Sequence, residues 1–329
     1  MPMIYFEEDS DPSLLIGRQI GIIGYAALGR SLALNLRESG ATVLVSVHGA
    51  GQNEAAEVDG MPIATAATVA ERSDVIWLTL PDEIMPSLYM ESVSPQLKRG
   101  DTLLFSSAYN VAFGYIEPPP FVDVSLIAPR AHGTLVRKNF VDGAGTLSFV
   151  AVAQDASRNA WSTLLALAGA TGLLRTGGVE ISIEQEAELN LFVQQAVIPA
   201  FHHIMITAAN LLMRSGYPAE AALTDLYISG KFNDYLAQGG QIGLLETITH
   251  ESLIEQYATF SRMDRFKELK LERLMEVTLE EIQNRNFAKE WEREYADGYP
   301  RLNKLRKFHE SLDVWEWEKQ TLELLGDER

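Results

Sequence analysis

A glycine-containing turn near the N-terminus carries the residues most suited to holding a phosphate-bearing cofactor. The segment IGIIGYAALGRSLALNLRESG places Gly24, Ala26 and Gly29 at the three positions of the G-x-G-x-x-G dinucleotide-binding fingerprint. It follows a predicted strand and begins a predicted helix, whose N-terminus offers free N–H groups and partial positive charge to a pyrophosphate. Ala26 replaces the middle glycine, which such fingerprints tolerate. We therefore expect a dinucleotide site, and the alternative is a strand–turn–helix unit without a ligand.

The loop after the second predicted strand, TVLVSVHGAGQNEAA, bears on which nucleotide binds. An acidic residue there would accept hydrogen bonds from the ribose, and an arginine would pair with a 2′-phosphate. The loop has neither, only His48, Gln52 and Asn53, which favours NADH and leaves NADPH open. We expect the cofactor to contact Gly24, Tyr25, Ala26, Ala27, Leu28, Gly29, His48, Gln52, Leu80, Pro81, Asp82 and Ser107.

Two kinds of periodicity divide the chain. From about residue 18 to 155, short apolar runs typical of buried strands alternate with amphipathic stretches, which predicts a parallel sheet with right-handed crossovers. The runs are RQIGIIG, TVLVSV, DVIWLTL, DTLLFSS, VDVSLIAP and LSFVAVA, with ALGRSLALNLRESG as an intervening helix. After about residue 181 we predict helices over Glu184–Met213, Pro218–Leu236, Leu271–Tyr295 and a charged tail ending near Leu325. The predicted domains are residues 1–181 and 182–329.

Composition excludes several classes of function. The net charge of −18 disfavours nucleic acids and anionic membranes, because both need a basic surface. The 329 residues include no cysteine, which excludes disulfides, thiolate metal sites and cysteine nucleophiles. The stretch Leu189–Met213 is long enough to cross a bilayer, but its amides, histidines and proline favour a buried helix of a helical domain. The acidic start lacks signal-peptide features, so we expect a cytoplasmic location.

Longer segments resemble the short-form (class I) ketol-acid reductoisomerases, also called acetohydroxy acid isomeroreductases. The resemblance runs from about residue 3 to residue 310 and is carried by IYFEEDSDPSLLIGRQIGIIGYAALGRSLALNLRESG, DVIWLTLPDEIMPSLY, LLFSSAYNVAFGYIEPP, VDVSLIAPRAHGTLVR, LNLFVQQAVIPA and EEIQNRNFAKEWEREYADGYP. It implies an α/β N-terminal Rossmann domain with a parallel sheet, and an all-α, knotted C-terminal domain that pairs across a dimer. In that family two magnesium ions held by four carboxylates drive an alkyl migration, and NAD(P)H then reduces the resulting ketone.

The four carboxylate positions implied by the resemblance are altered in this chain. The family's first metal helix has an Asp and a Glu four residues apart, and the matching residues are Asn190 and Gln194. Its second metal helix has a Glu pair at that spacing, matched by Asp225 and Ser229. Magnesium selects oxygen ligands that are usually anionic, so this set would leave two ions almost uncompensated. We therefore expect no magnesium and no metal ligands.

Other positions implied to surround the reacting atoms differ as well. Ser107 stands where the family has a histidine, and Arg130 replaces a lysine with a planar fork suited to carboxylates. His132 replaces a small residue or proline, and Thr249 belongs to a Thr-Ile-Thr run that keeps the hydroxyls of a substrate-contacting S-I-S run. We predict catalytic roles for Ser107, Arg130, His132, Asn190, Gln194, Asp225, Ser229 and Thr249.

Together these features predict a metal-independent NAD(P)H oxidoreductase that reduces a C=O or C=N substrate without the isomerase step, in a specialised biosynthetic pathway. Arg130, Ser107, Asn190 and Gln194 are the available donors to developing negative charge, and Asp225 or His132 would supply the proton. Two alternatives stay open: a non-catalytic nucleotide-binding homologue with a regulatory or scaffold role, and a genuine magnesium-dependent reductoisomerase of branched-chain amino acid synthesis. The expected partners are a small-molecule substrate and a second copy of the chain, as a homodimer or dimer-based oligomer.

Overall fold

The computed structural model describes residues 3–263, 265–266 and 269–325. The chain divides into two compact units, Met1–Asn190 and Leu191–Arg329. The predicted domain ranges place the division earlier, between residues 181 and 182, and their ends at 1–2 and 326–329 lie outside the described residues.

Within the described residues, the first unit contains one sheet of eight strands in the order β1-β8-β7-β6-β5-β4-β2-β3. The strands are β1 (Ile4–Tyr5), β2 (Gln19–Ile23), β3 (Thr42–Ser46), β4 (Val75–Leu78), β5 (Thr102–Phe105), β6 (Asp123–Pro129), β7 (Ser148–Gln154) and β8 (Gly178–Glu180). The helices are α1 (Ala27–Glu38), α2 (Gln52–Val58), α3 (Ala66–Arg72), α4 (Met85–Leu88), α5 (Tyr109–Ala112), α6 (Gly133–Val141), α7 (Ala160–Ala170) and α8 (Ile183–Phe192). All six strands predicted from apolar runs are present.

The sheet is mostly parallel, as predicted, but the direction of β7 corrects the prediction. The strands from β3 to β6 pair in parallel, whereas β7 runs antiparallel to β6 and β1 antiparallel to β8. The connection explains the reversal: α6 begins beside the start of α1 and packs along it, and Ser148 at the start of β7 pairs with Pro129 at the end of β6. The chain therefore enters β7 from the edge at which β6 ends.

Two apolar cores cover the two faces of this sheet. One combines Ile20, Ile22 and Trp77 with side chains of α1 and α7, and the other combines Ile76 and Phe105 with side chains of α3 and the α4 region. Strands buried on both faces account for the unbroken apolar runs in the sequence, because neither face needs polar residues.

The second unit is helical, as predicted. A π-helical turn (Val193–Val197) continues α8 into α9 (Ile198–Arg214), and a second π-helical turn (Thr224–Ile228) follows α10 (Ala219–Leu223). The remaining helices are α11 (Lys231–Ile242), α12 (Leu244–Thr249), α13 (Leu253–Met263), α14 (Leu271–Gln283), α15 (Asn286–Ala296), α16 (Pro300–Glu310) and α17 (Asp313–Leu325).

Two of the predicted helices are each divided by a residue in the left-handed region of backbone conformation. Gly230, with φ of 83°, ends the predicted Pro218–Leu236 helix, and α11 begins after it. Arg285, with φ of 60°, separates α14 from α15 inside the predicted Leu271–Tyr295 helix. The sequence pattern missed both breaks because apolar residues continue at helical spacing on each side of them. The tail forms two helices, α16 and α17, rather than one, and α17 reaches Leu325, the last residue described.

The prediction that Leu189–Met213 is a buried helix is wrong for the single chain. The continuous helix Ile183–Arg214 is by length and composition able to cross a membrane, but only 11% of its most apolar window is buried. Val197, Ile204 and Leu211, which share a face at a spacing of about two turns, are 42%, 53% and 62% exposed. We call these three residues the apolar stripe. Within the described part of the chain, this stripe is left uncovered.

Candidate functional site

The fingerprint turn has the close contacts for which its glycines are needed. Gly24 has φ of 105°, and a Cβ on Gly29 would lie 2.0 Å from the carbonyl oxygen of Gly24. Thr79 donates its hydroxyl to the same carbonyl at 2.8 Å, which ties the end of β4 to the turn. Ala26 precedes α1 in an extended conformation open to any residue, so alanine is unstrained there. Because no side chain caps α1 in the described structure, its first N–H groups remain available to a pyrophosphate.

A second helix begins beside the first. A Cβ on Gly133, the first residue of α6, would lie 2.3 Å from the amide nitrogen of Leu28 and 2.4 Å from the carbonyl carbon of Ala27. Ser31 donates its hydroxyl to the carbonyl of Gly133 at 2.7 Å and fixes this contact. Two positive helix ends therefore lie together at the fingerprint turn, which suits a diphosphate.

Gln52, predicted to contact the cofactor, shapes the ribose end of the site through the backbone. Its Oε1 accepts from the N–H of Tyr25 at 2.8 Å and of His48 at 3.0 Å. The Tyr25 hydroxyl donates to Asp59 at 2.8 Å, and Arg30 contacts the two Asp59 oxygens at 2.6 and 2.8 Å. Burial and the Asp59 hydrogen bond raise the pKa of Tyr25, so its hydroxyl stays a donor. The fingerprint turn is thereby fixed both to the loop after β3 and to the end of α2.

A cavity of about 640 Å³ borders this turn. It is lined by the predicted residues Tyr25, Ala27 and Gln52 and by Arg30 and Arg137, which the sequence reasoning missed. Both guanidinium groups already have partners, since Arg30 pairs with Asp59, and Arg137 pairs with Glu38 and donates to Asn35 at 2.8 Å. Arg137 lies on α6, far in sequence from the fingerprint, so only the packing of α6 on α1 brings it here.

Asp82 and Ser107, both predicted site residues, meet where β4 and β5 end. The Ser107 hydroxyl donates to Asp82 Oδ2 at 3.1 Å and accepts from the N–H of Tyr109 at 3.2 Å. Asn110 donates to Asp82 Oδ1 at 3.2 Å and to the Asp82 carbonyl at 3.0 Å. Burial raises the pKa of Asp82 to about 6; the Ser107 hydrogen bond opposes this shift, and the nearby charges of Glu186 and Glu83 add to it. Leu80 is buried beside them and Pro81 is exposed.

Arg130 pairs with Glu186, a residue that the sequence reasoning missed. Its Nη1 lies 2.9 Å from Glu186 Oε1, and its guanidinium carbon lies 4.9 Å from the ring centre of Phe149. The other Glu186 oxygen accepts from the N–H of Ala108 at 3.1 Å. The Glu186 side chain is 3% exposed and that of Arg130 is 34% exposed, so the arginine neutralises a buried carboxylate and keeps one side accessible. The signal for Glu186 was its position between apolar residues on the buried face of α8.

The remaining predicted catalytic residues are more exposed. The His132 side chain is exposed at the start of α6, and Asn190 is half-buried near the end of α8. In the second unit, Gln194 lies in the first π-helical turn and Asp225 in the second, with Ser229 directly after it, and all three are exposed. π-Helical turns are rare and occur frequently at functional sites. Thr249, at the end of α12, is exposed and donates to the carbonyl of Glu246 at 2.8 Å.

The residues at the four positions that the family resemblance implies for metal do not fit a pair of magnesium ions. Asn190, Gln194 and Ser229 offer neutral oxygens, and Asp225 offers one carboxylate, whereas two close divalent cations need several anionic ligands. Within residues 3–263, 265–266 and 269–325, no three His, Cys, Asp or Glu side chains form a group that could hold a metal ion.

Comparison with known proteins covers both units. Residues 14–177 match the family model described as acetohydroxy acid isomeroreductase, NADPH-binding domain, and residues 183–325 match ketol-acid reductoisomerase, C-terminal domain. The chain is 34% identical over 329 residues to the ketol-acid reductoisomerase (NADP(+)) of Methanothermobacter thermautotrophicus, covering 99% of each protein. It is 34% identical over 306 residues to that of Saccharopolyspora erythraea, covering 92% of this chain and 91% of the relative. A solved NADH-preferring ketol-acid reductoisomerase from an uncultured archean matches with a TM-score of 0.90 at 30% identity, covering 97% of this chain and 98% of that one.

Proposed function

Because the chain belongs to the ketol-acid reductoisomerase family, we propose that it is an NAD(P)H-dependent oxidoreductase that carries out a reduction without a metal and without the isomerase step. One contrast carries the proposal. The fingerprint turn keeps the close contacts that a dinucleotide site needs, while all four positions implied to hold metal have changed. Alkyl migration of the family's kind depends on carboxylate-held magnesium, whereas reduction depends on the nucleotide.

The proposed substrate carries a C=O or C=N group, and bound NAD(P)H would supply the hydride to its carbon. Arg130 would hold a substrate carboxylate or stabilise negative charge with its accessible side, since Glu186 and Phe149 orient the guanidinium. Asn190 and Gln194 would donate N–H groups to the substrate, and the hydroxyls of Ser229 and Thr249 would add polar contacts. A cationic imine needs less electrophilic help than a ketone, so the loss of metal ligands favours an imine.

NADH is the proposed cofactor. The loop after β3 has no arginine or lysine to pair with a 2′-phosphate. The two arginines that line the adjoining cavity are already paired with Asp59 and Glu38, so a 2′-phosphate would have to compete with those carboxylates. The relatives named for NADP(+) make NADPH the alternative to be measured beside it.

A second copy of this chain is the proposed cover of the apolar stripe. The exposed fractions of Val197, Ile204 and Leu211 are high for aliphatic residues that share one helix face. A net charge of −18 disfavours an anionic membrane as the cover. A homodimer or dimer-based oligomer would bury this face. We further propose that the protein is cytoplasmic and acts in a specialised biosynthetic pathway.

The test uses full-length protein titrated with NADH and NADPH while nucleotide fluorescence is followed. We expect saturable binding of both nucleotides, tighter for NADH. We then expect NADH to be consumed in the presence of members of a panel of carbonyl and imine compounds, at a rate that EDTA does not change. Failure to bind either nucleotide would overturn the proposal. Magnesium-dependent turnover of 2-acetolactate would establish a genuine reductoisomerase instead, and nucleotide binding without reduction of any panel member would favour the non-catalytic homologue.

Restoring carboxylates gives a matched control for metal independence. The triple substitution Asn190→Asp, Gln194→Glu and Ser229→Glu, with Asp225 retained, recreates four carboxylates at the implied positions. We expect this variant to bind magnesium measurably by calorimetry and the unaltered protein not to do so. Equal magnesium binding by both proteins would contradict the proposed loss of the metal site.

A further inference from the structure

We propose that Asp82 and Ser107 form a proton relay for the reduction, in which the Ser107 hydroxyl reaches the substrate and Asp82 resupplies its proton. This inference rests on the proposed reductase function and names the source of its proton. It differs from the sequence expectation, which assigned the proton to His132 or Asp225.

The position of the pair within the sheet supports this role. In open α/β sheets, ligands bind outside the carboxyl ends of the strands at the point where strand order reverses. Here that point lies between β2 and β4, because β3 is on one side of β2 and β4, β5 and β6 follow on the other. The β3 side holds the ribose-binding loop, so the nicotinamide end extends toward β4 and β5. Asp82 and Ser107 follow the ends of those two strands.

The hydrogen bonds around the pair orient it for proton transfer from Asp82 to Ser107 and from Ser107 to a substrate. Asn110 holds Asp82 Oδ1 at 3.2 Å, which leaves Oδ2 to face the Ser107 hydroxyl at 3.1 Å. The N–H of Tyr109 donates to Ser107 Oγ at 3.2 Å and fixes the hydroxyl oxygen. Ser107 is half-exposed, so its hydroxyl can turn from Asp82 toward a bound substrate once Asp82 carries a proton. His132 and Asp225, by contrast, have exposed side chains.

The surrounding charges poise Asp82 for proton transfer near neutral pH. Burial raises the pKa of Asp82 to about 6, and the carboxylates of Glu186 and Glu83 act in the same direction. Arg130 partly neutralises Glu186 through their ion pair. A catalytic acid works best when its pKa lies near the operating pH, and an ordinary aspartate would be almost fully ionised there.

The proposed reduction transfers one hydride and one proton. Bound NAD(P)H would supply the hydride to the substrate carbon, and the π electrons of its C=N or C=O bond would move onto nitrogen or oxygen. A carbonyl oxygen takes the hydroxyl proton of Ser107 with this step, and a neutral imine nitrogen takes it beforehand, which forms the cationic imine. In both cases Ser107 Oγ takes the carboxyl proton of Asp82. The products are an amine or alcohol, NAD(P)⁺ and the Asp82 carboxylate, which is reprotonated from solvent.

A titration of Asp82 itself tests the relay independently of turnover. Full-length protein carrying ¹³C at the aspartate carboxyl carbons is titrated by NMR, with Asp82→Asn used to assign the signal. We expect Asp82 to titrate near pH 6, and at higher pH in Ser107→Ala, because the hydroxyl that stabilises the carboxylate is removed. Ser87→Ala, an exposed serine bonded to its own helix, should leave the titration unchanged. An ordinary aspartate pKa, or no response to Ser107→Ala, would overturn the relay.

The pH profile of reduction provides the second readout, with NADH as donor and 1-pyrroline-2-carboxylate as the imine probe. We expect the rate constant to fall as pH rises through about 6, and to be about a hundredfold lower and independent of pH in Asp82→Asn. Ser87→Ala should follow the unaltered protein. A pH profile in Asp82→Asn identical to that of the unaltered protein would overturn the relay alone. If neither nucleotide binds, the reductase function fails and the relay fails with it.

Discussion

The two units of the chain bury their apolar residues to very different extents. In the first unit a sheet lies between two cores that include large side chains such as Trp77 and Phe105. In the second unit, the described residues form a small core around Ala209, Leu223 and Val314, while the apolar stripe stays exposed. The first unit thus buries its large apolar side chains within itself. The second unit also contains many large apolar side chains, but those on the apolar stripe are left exposed. On the proposed homodimer, a second copy of the chain would supply the surface that buries the stripe.

The same contrast extends to the predicted site residues. Those near the nucleotide are held by specific bonds, such as Gln52 to two backbone N–H groups and Asp82 to Ser107 and Asn110. Gln194, Asp225 and Ser229 in the second unit are exposed. On the proposed function, the first unit holds the nucleotide, and a second copy of the chain would cover the apolar stripe of the helical unit.

The largest effect is expected from a charge placed in the middle of the apolar stripe. Ile204→Lys would put an ammonium group into the proposed interface, twice per symmetric dimer. Losing the burial of isoleucine costs about 1.5–3 kcal/mol, and an unpaired buried charge adds more. We therefore expect dimer affinity to fall by at least about a thousandfold, equivalent to roughly 4 kcal/mol, measured by sedimentation equilibrium.

The control for this substitution lies in the first unit. Val141 at the end of α6 is 62% exposed, against 53% for Ile204, but it lies on the first unit, whose cores are formed within the unit, so Val141→Lys should leave the oligomeric state unchanged. A monomeric unaltered protein at micromolar concentration, or a dimer unaffected by Ile204→Lys, would contradict the comparison between the units.

The second prediction compares a glycine in each unit. Gly29→Ala would place a Cβ 2.0 Å from the Gly24 carbonyl oxygen and force α1 away from β2. We expect a loss of about 3 kcal/mol in unfolding free energy and loss of NADH binding, measured by denaturant unfolding and fluorescence titration. Gly240→Ala, in α11, meets no atom within 4 Å, so it should be neutral or stabilise by about 0.5–1 kcal/mol. Equal stability changes in the two variants would contradict the packing assigned to the fingerprint.

Features of the fold could be predicted from the sequence where neighbouring residues determine them, and not where distant segments do. The strands were predictable because residues such as Ile20, Ile22 and Ile76 are buried on both faces and form continuous apolar runs. The direction of β7 was not, because it depends on α6 packing against α1. The breaks at Gly230 and Arg285 were missed because helical periodicity continues through them.

The site shows the same limit. The fingerprint turn was predictable because its six positions are adjacent in sequence and each has a local reason. Arg137 and Glu186 were missed because their contacts are distant in sequence. Only tertiary packing brings Arg137 to the cavity beside the fingerprint turn and Glu186 to Arg130. Asp82 was expected to contact the cofactor, but its hydrogen bond to Ser107 and its raised pKa depend on burial that no spacing in the sequence reveals.

A third, smaller effect concerns how stability depends on pH in the first unit. Asp82 has a pKa of about 6 in the folded protein against an ordinary 3.8, so its contribution to stability is present below pH 4 and is lost as pH rises through 6. Asp82→Asn removes this dependence, so its stability relative to the unaltered protein should increase by about 2–3 kcal/mol between pH 4 and pH 7.5. Denaturant unfolding at several pH values measures the difference. A difference that does not change with pH would show that folding leaves the pKa of Asp82 at its ordinary value.

The smallest effect tests whether the nucleotide site is fixed in advance by the first unit alone. Tyr25→Phe removes the hydroxyl that donates to Asp59, but Asp59 keeps both contacts to Arg30, so no buried carboxylate is left unpaired. The loss should therefore be that of one hydrogen bond, about 1 kcal/mol, or roughly a fivefold weaker Kd for NADH. Tyr217→Phe changes the same group at a residue that is 58% exposed in the second unit, and should leave the Kd unchanged. If Tyr25→Phe also leaves it unchanged, the Asp59 contact stabilises the fold without positioning the turn, and preorganisation of the nucleotide site rests on Gln52 and the glycines alone.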